Sequence, residues 1–334
     1  MGKEEKTLYH EEFAKFVDSC IISNKTLLTT TEELFTKENL KDTKDFLKAI
    51  KPLFDIKNEE ARKQNKQAKK KIVKTWGIGD IFDGGVFSEF FKDVKNNEIK
   101  QIVIEVLLHC NWLMYLCSDR QHKQIKASSY YKGGIDDYFK VKTEWAIGPT
   151  FSGTSLDAML FILELILAVK STEESIPKIV EKIEEFCNDG EWKATLKWKD
   201  TDRKSISTDA IVNIILFFCN TEKYLPIPAQ NKKKLISDKL QDLIPVDQSD
   251  DIPVFKNKID EQLYRIRLAL KSLNHNDKEG MLLYQELNPF WHSTILPFWD
   301  DSTEKLDKEQ LSYKTLLEYK KAMILYGPPG TSKS

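Results

Sequence analysis

Gly327-Pro328-Pro329-Gly330-Thr331-Ser332-Lys333-Ser334, entered from the apolar run Met323-Ile324-Leu325-Tyr326, is the stretch on which the reading of this chain turns. The order predicts a strand, a glycine-rich turn and the first residues of a helix. Its spacing is that of a Walker A phosphate loop, G-x-x-x-x-G-K-[ST], with Ser332 in the slot of the second glycine. A nucleoside triphosphate needs several backbone N–H donors converging on one point, and glycines let the chain curl that tightly. Lys333 would place its ammonium between the β- and γ-phosphates, and the Ser334 hydroxyl would ligate Mg²⁺. The helix that should begin here would aim its partial positive charge at the phosphates. Serine at position 332 costs roughly 1 kcal/mol more than glycine if φ must be positive, and is tolerated if the angles are already helical.

The segment Ala322 to Ser334 resembles the Walker A region of AAA+ ATPases, and Leu-Tyr before Gly-Pro-Pro-Gly-Thr resembles the McrB-like branch, the motor subunits of modification-dependent restriction systems. Tyr313 to Lys320 is similar to the short helix that leads into that strand. Looser likenesses to segments that precede the motor lie at Asn111 to Leu116, Ile206 to Leu240 and Ile259 to Arg267. The resemblance implies a P-loop NTPase that uses ATP or GTP with Mg²⁺ and assembles into a hexameric ring. It also implies a region ahead of the motor that chooses the target while a separate nuclease subunit cuts. The cofactor-binding residues it implies are Gly327, Pro328, Pro329, Gly330, Thr331, Ser332, Lys333 and Ser334, with Ser334 on the metal. Walker B acids, sensor residues and an arginine finger are expected beyond residue 334, so these residues alone are expected to be monomeric, inactive, and unable to hold nucleotide tightly.

Composition narrows the rest. The 334 residues suffice for two domains with sizeable cores. At 41% hydrophobic and 31% charged, the chain fits a helix-rich globular protein. A net charge of −1 gives no global attraction to nucleic acid, so any basic surface must be local. The five cysteines, Cys20, Cys110, Cys117, Cys187 and Cys219, are odd in number and scattered, which predicts reduced thiols in the cytoplasm. The longest apolar stretch, Ala158 to Val169, contains Glu164 and falls short of the ~20 residues a bilayer requires.

Along the chain, periodicity predicts helix through 8–55, with Phe13, Phe16, Val17 and Cys20 on one face and a helix start at Thr29 to Leu34. Further helices are expected at Glu98 to Cys117, Leu156 to Val169 behind a Thr154 or Ser155 cap, Glu174 to Cys187 closed by Gly190, Thr208 to Phe218, Lys232 to Leu243 and Ile259 to Leu273. Trp192, Ala194, Leu196 and Trp198 alternate with polar residues, which predicts a strand. Asn288 to His292 and Leu296 to Trp299 read as a packed aromatic connection into the motor.

Several constellations invite chemistry. On a helix Lys63, Lys66, Lys70 and Lys74 line one face suited to tracking phosphates, although a solvated helix accounts for them equally. His109, Cys110, Cys117 and His122 could ligate zinc, yet the cysteines sit in a run that reads as buried helix. Asp189, Glu191 and Lys193 carry the acid-x-lysine fragment of restriction-type nucleases without a second acidic strand, and Gly148 to Ser155 lacks the lysine of a second phosphate loop.

The expected fold is therefore mainly α: a multi-helical region with a minor β element, followed by the first strand and P-loop of an α/β AAA+ module. The expected division is 1–75, a helical segment with a basic linker; 76–300, a helical domain; and 301–334, the start of the NTPase domain. The expected activity is ATP or GTP hydrolysis by the complete protein acting on DNA in a restriction or defence system. A MoxR-like chaperone acting on protein and a non-enzymatic scaffold are the alternatives.

Overall fold

A computed structural model describes residues 2–27, 33–50, most of 102–113 with Leu116, 155–190, 206–244, 252–273, 289–291 and 295–300. Among the described residues the structure is mainly helical and holds no strand; the only β pairing is an isolated antiparallel bridge between Lys25 and Glu33. The helices are α1 (Gly2–Phe16), α2 (Lys37–Ile50), α3 (Ser155–Val169), α4 (Ile176–Asp189), α5 (Ile206–Cys219), α6 (Gln230–Leu240), α7 (Lys258–Leu273) and the short α8 (Leu296–Trp299). The described positions of 102–113 are helical too. The expected strand at 192–198 and the P-loop module lie outside the described residues. The chain divides into two compact units, Leu8–Asn220, and Thr221–Ser334 together with Met1–Thr7.

In the Leu8–Asn220 unit, α3 explains the layout. Ala158 through Leu163, Leu165, Ile166 and Val169 are all buried, so the helix is apolar on nearly every side and needs neighbours on nearly every side. It packs on α2, α4 and α5. Each such Leu, Ile or Phe contributes roughly 1.5–3 kcal/mol of transfer free energy. The one charge in the run, Glu164, is met by Lys44 of α2 at 2.5 Å. Helix α5 is equally apolar, with Ala210, Ile211, Ile214, Ile215, Phe217 and Phe218 buried. Tyr9 and Phe13 of α1 lie against its Phe218 ring, and Phe16 stacks on Trp112.

Helix α4 is amphipathic by contrast and buries Ile179, Ile183 and Cys187 at four-residue spacing. Pro177 stands in its first turn, where the missing N–H costs no helical bond. It stops at Gly190, whose φ of 70° is the left-handed conformation that glycine adopts without a Cβ penalty.

Of the expected helix start at Thr29 to Leu34, residues 29–32 lie outside the described residues, and Glu33 and Leu34 are not helical. Helix α2 begins at Lys37, because Thr36 is the cap: its Oγ1 accepts the Asn39 N–H at 3.2 Å. Residues 33–35 run non-helically into it, held by the Lys25–Glu33 bridge and by the Phe35 N–H donating to the Asn24 carbonyl at 2.8 Å. The helical reading of 8–55 is also interrupted, since α1 passes into a π-helix over Val17–Ile22. The turn is closed by the Ser23 N–H donating to the Asp18 carbonyl at 2.8 Å, and Asn24 follows with φ 59°. Asparagine is among the few residues that accept that region at modest cost.

In the other unit, α6 and α7 pack together and α8 packs on α6. The apolar side is Leu225, Ile227, Ile236, Leu240, Leu263, Ile266 and Leu270 with Phe290 and Trp299. The expected aromatic connection is packed: the Trp299 indole N–H donates to the Phe290 carbonyl at 2.7 Å, which satisfies a polar handle that burial would otherwise leave costly. Among the described residues no helix is long and apolar enough to cross a membrane.

Candidate functional site

Gly327 to Ser334 and Lys63, Lys66, Lys70 and Lys74 all lie outside the described residues, as do Cys117, His122, Glu191 and Lys193. The chemistry that can be built from described side chains therefore concerns His109, the buried thiols, a polar cavity and one buried ion pair.

His109 is a core residue. Its ring is buried, sits edge-on to Phe35 with centroids 5.2 Å apart, and uses both nitrogens on the backbone. Nε2 accepts the Leu27 N–H at 2.9 Å, so the proton sits on Nδ1, which donates to the Glu105 carbonyl at 2.7 Å. That pairing defines a neutral tautomer. Burial pulls the imidazole down from 6.5 to about 4, opposed only by the Glu105 carbonyl. Neither nitrogen is left to bind a metal. Cys110 beside it is a buried free thiol, as are Cys20, Cys187 and Cys219. Burial raises all four thiols above their ordinary range, which makes them small hydrophobes rather than nucleophiles. Among the described residues no group of His, Cys, Asp and Glu is placed to hold a metal ion.

A cavity of about 400 Å³ opens where the π-helix ends, α2 begins and α3 ends. Asn24, Thr36, Lys37, Lys170, Thr172 and Glu173 line it, with Ser171. Lys170 follows the apolar run of α3 and turns back over the end of the π-helix, donating to the carbonyls of Cys20 at 3.0 Å and Ile21 at 3.1 Å. Those carbonyls lie at a helix end, where intrahelical donors run out. Burial lowers the Lys170 ammonium from 10.5 to about 8; the Lys37 charge adds to the fall, and Cys20 opposes it. Sequence reasoning passed over this lysine, although its place directly after twelve residues read as core was a usable signal.

The second missed feature is the pair Lys233–Asp260, joining α6 to α7 at 2.6 Å with side chains 0% and 4% exposed. Ser237 donates to Gln262 at 2.8 Å one turn further on. Around Tyr224, the Phe255 ring lies edge-on at 5.9 Å, Tyr264 continues the cluster, and Lys223 stands over both Tyr224 and Phe255. Arg267 donates to the Glu222 carbonyl and carboxylate, and burial lowers its guanidinium while Glu222 opposes that. These contacts fasten elements together; none converges on an open site. No protein-family model matches the chain, and neither a curated protein nor a solved structure does.

Proposed function

We propose that this chain belongs to a McrB-like AAA+ NTPase in which the helical region selects a target, most directly DNA, for a restriction or defence system. The single observation that carries the reading is the order of residues 323–334: an apolar strand pattern, a Gly-Pro-Pro-Gly turn, Lys333 and the Ser334 hydroxyl. In this reading Gly327 to Ser332 wrap the phosphates, Lys333 neutralises β- and γ-oxygens, and Ser334 holds Mg²⁺ beneath ATP or GTP. Ring assembly and a separate nuclease subunit come with the same reading. The helix-face spacing of Lys63, Lys66, Lys70 and Lys74 supports a phosphate-tracking contact. The buried free thiols are in keeping with a reducing compartment.

The test is binding of the full chain to modified and unmodified DNA duplexes across salt. Saturable binding that weakens steeply with salt, and that falls when the four lysines become alanine, is the expected outcome. An absence of binding at ~50 mM salt, where phosphate contacts are strongest, would remove DNA as the target and leave a protein-remodelling or scaffolding role.

A further inference from the structure

We propose that the cavity between the π-helix, α2 and the end of α3 is a binding site for a phosphate-type oxoanion, separate from the phosphate loop at 327–334. The inference begins with hydrogen-bond donors. An ammonium carries three N–H groups. Lys170 spends two on the carbonyls of Cys20 and Ile21, and among the described residues nothing accepts the third. Lys37 is exposed on the same cavity, and no described residue accepts from its ammonium. The Thr172 hydroxyl is a further donor on the rim with no described partner.

Charge points the same way. Burial is the main cause that lowers the Lys170 ammonium, and the charge of Lys37, which lines the same cavity, adds to it. Two like charges held against one cavity are relieved by an anion between them, and charge-assisted bonds to a phosphate oxygen are roughly twice as strong as neutral ones. The Asn24 side-chain oxygen is buried and lacks a partner among the described residues, and Asn24 also lines the cavity. A hydrogen phosphate offers acceptors to the two lysines and an O–H that such an oxygen can accept. Glu173 opposes this ligand; it is exposed at the rim, where water screens it, and it favours the protonated form of the anion over the fully ionised one. A volume near 400 Å³ falls within the range of small-molecule sites and admits either free phosphate or a phosphorylated small molecule.

The experiment is calorimetric titration of the full chain with inorganic phosphate, and separately with a sugar phosphomonoester, in chloride buffer. One saturable equivalent is expected. Lys37→Glu should weaken it about tenfold or more, because it replaces a charge-assisted donor with a repelling acceptor. Lys37 is exposed and has no described hydrogen-bond partner, and Lys37→Glu removes a like charge from beside Lys170 at the first turn of α2, so this variant should melt no lower than the wild type. Lys170→Met, which also uncaps two carbonyls, is the second variant and should weaken binding as well. Lys333→Ala should leave the binding unchanged. A tighter phosphomonoester assigns the site to phosphorylated small molecules, and a tighter inorganic phosphate assigns it to the free ion. The proposal fails if no saturable binding occurs, or if Lys37→Glu binds like the wild type; loss of the ligand in Lys333→Ala would assign the binding to the phosphate loop instead.

Discussion

The two units solve the same problem by opposite means. In Leu8–Asn220 the centre is dominated by apolar residues: α3 and α5 are buried on nearly all sides, the buried His109 is held neutral, and the charge of Glu164 is met at 15% exposure by Lys44. In the unit that begins at Thr221, α6 and α7 are each amphipathic, and a fully buried ion pair crosses between them. An apolar helix takes its register from close packing of side-chain shapes, without a directional charge contact. A buried Lys233–Asp260 pair has one register only, since any slip leaves two uncompensated charges. The difference teaches that the first unit is held by bulk burial and the second by a pinned interface.

The largest effect should come from breaking the pin. Lys233→Ala leaves Asp260 buried without its partner and should cost about 3–5 kcal/mol. Hydrogen exchange in α6 and α7 would report it, with α3 and α5 unaffected. The double change Lys233→Met with Asp260→Leu should recover most of the loss; if it does not, the pair contributes more than geometry, and the contrast with the apolar unit sharpens.

Next in size is the acid response of the apolar unit. His109 is held neutral, with a folded value near 4 against 6.5 when unfolded. Its contribution is therefore fully present above about pH 6.5 and is lost as pH falls toward 4, by about 3 kcal/mol. Denaturation midpoints measured across that window, with His109→Phe as the comparison, check it: the variant should show a flatter profile.

Smaller still, Gly190→Ala at the end of α4 should cost about 1 kcal/mol. The added Cβ meets nothing within 4 Å, so the cost is the φ of 70° alone. Glu261→Gln, which removes a half-exposed pair with Arg265 on α7, should change stability by less than about 0.5 kcal/mol. A larger value would mean that the pinned unit depends on surface charge as well.

Much of the helical scaffold was legible from the residues. Ala158 to Val169 could hardly be anything but a core helix, and Gly190 ended α4 where a left-handed cap was needed. Helices α5, α6 and α7 begin and end within a few residues of where their periodicity placed them. The start of α2 was misplaced because Thr29 to Thr31 offers three capping hydroxyls ahead of two acids, while the real cap, Thr36, is set by a backbone contact to Asn24 that local pattern does not encode. The π-helix was illegible because its residues fit an α-helical face, and Lys170, which caps its last carbonyls, lies far along the chain. Lys233 left a signal that was passed over. It shares a face with Ile236 and Leu240 at spacings of three and seven, and Asp260 stands three residues before the buried Leu263. A charge on an apolar face asks for a partner on another element. The cavity as a whole left none beyond the place of Lys170 after the apolar run, since Asn24, Lys37 and Lys170 meet only through the tertiary fold.

The measurement that bears most directly on the proposed function is titration of the full chain with Mg²⁺-ATP and Mg²⁺-GTP, followed by phosphorus NMR. It is best made in a Lys37→Glu background, so that the oxoanion cavity does not contribute. The account predicts weak, saturable, Mg²⁺-dependent binding that disappears in Lys333→Ala. Absence of binding, or binding that survives the loss of Lys333, would contradict the reading of residues 327–334 as a phosphate loop.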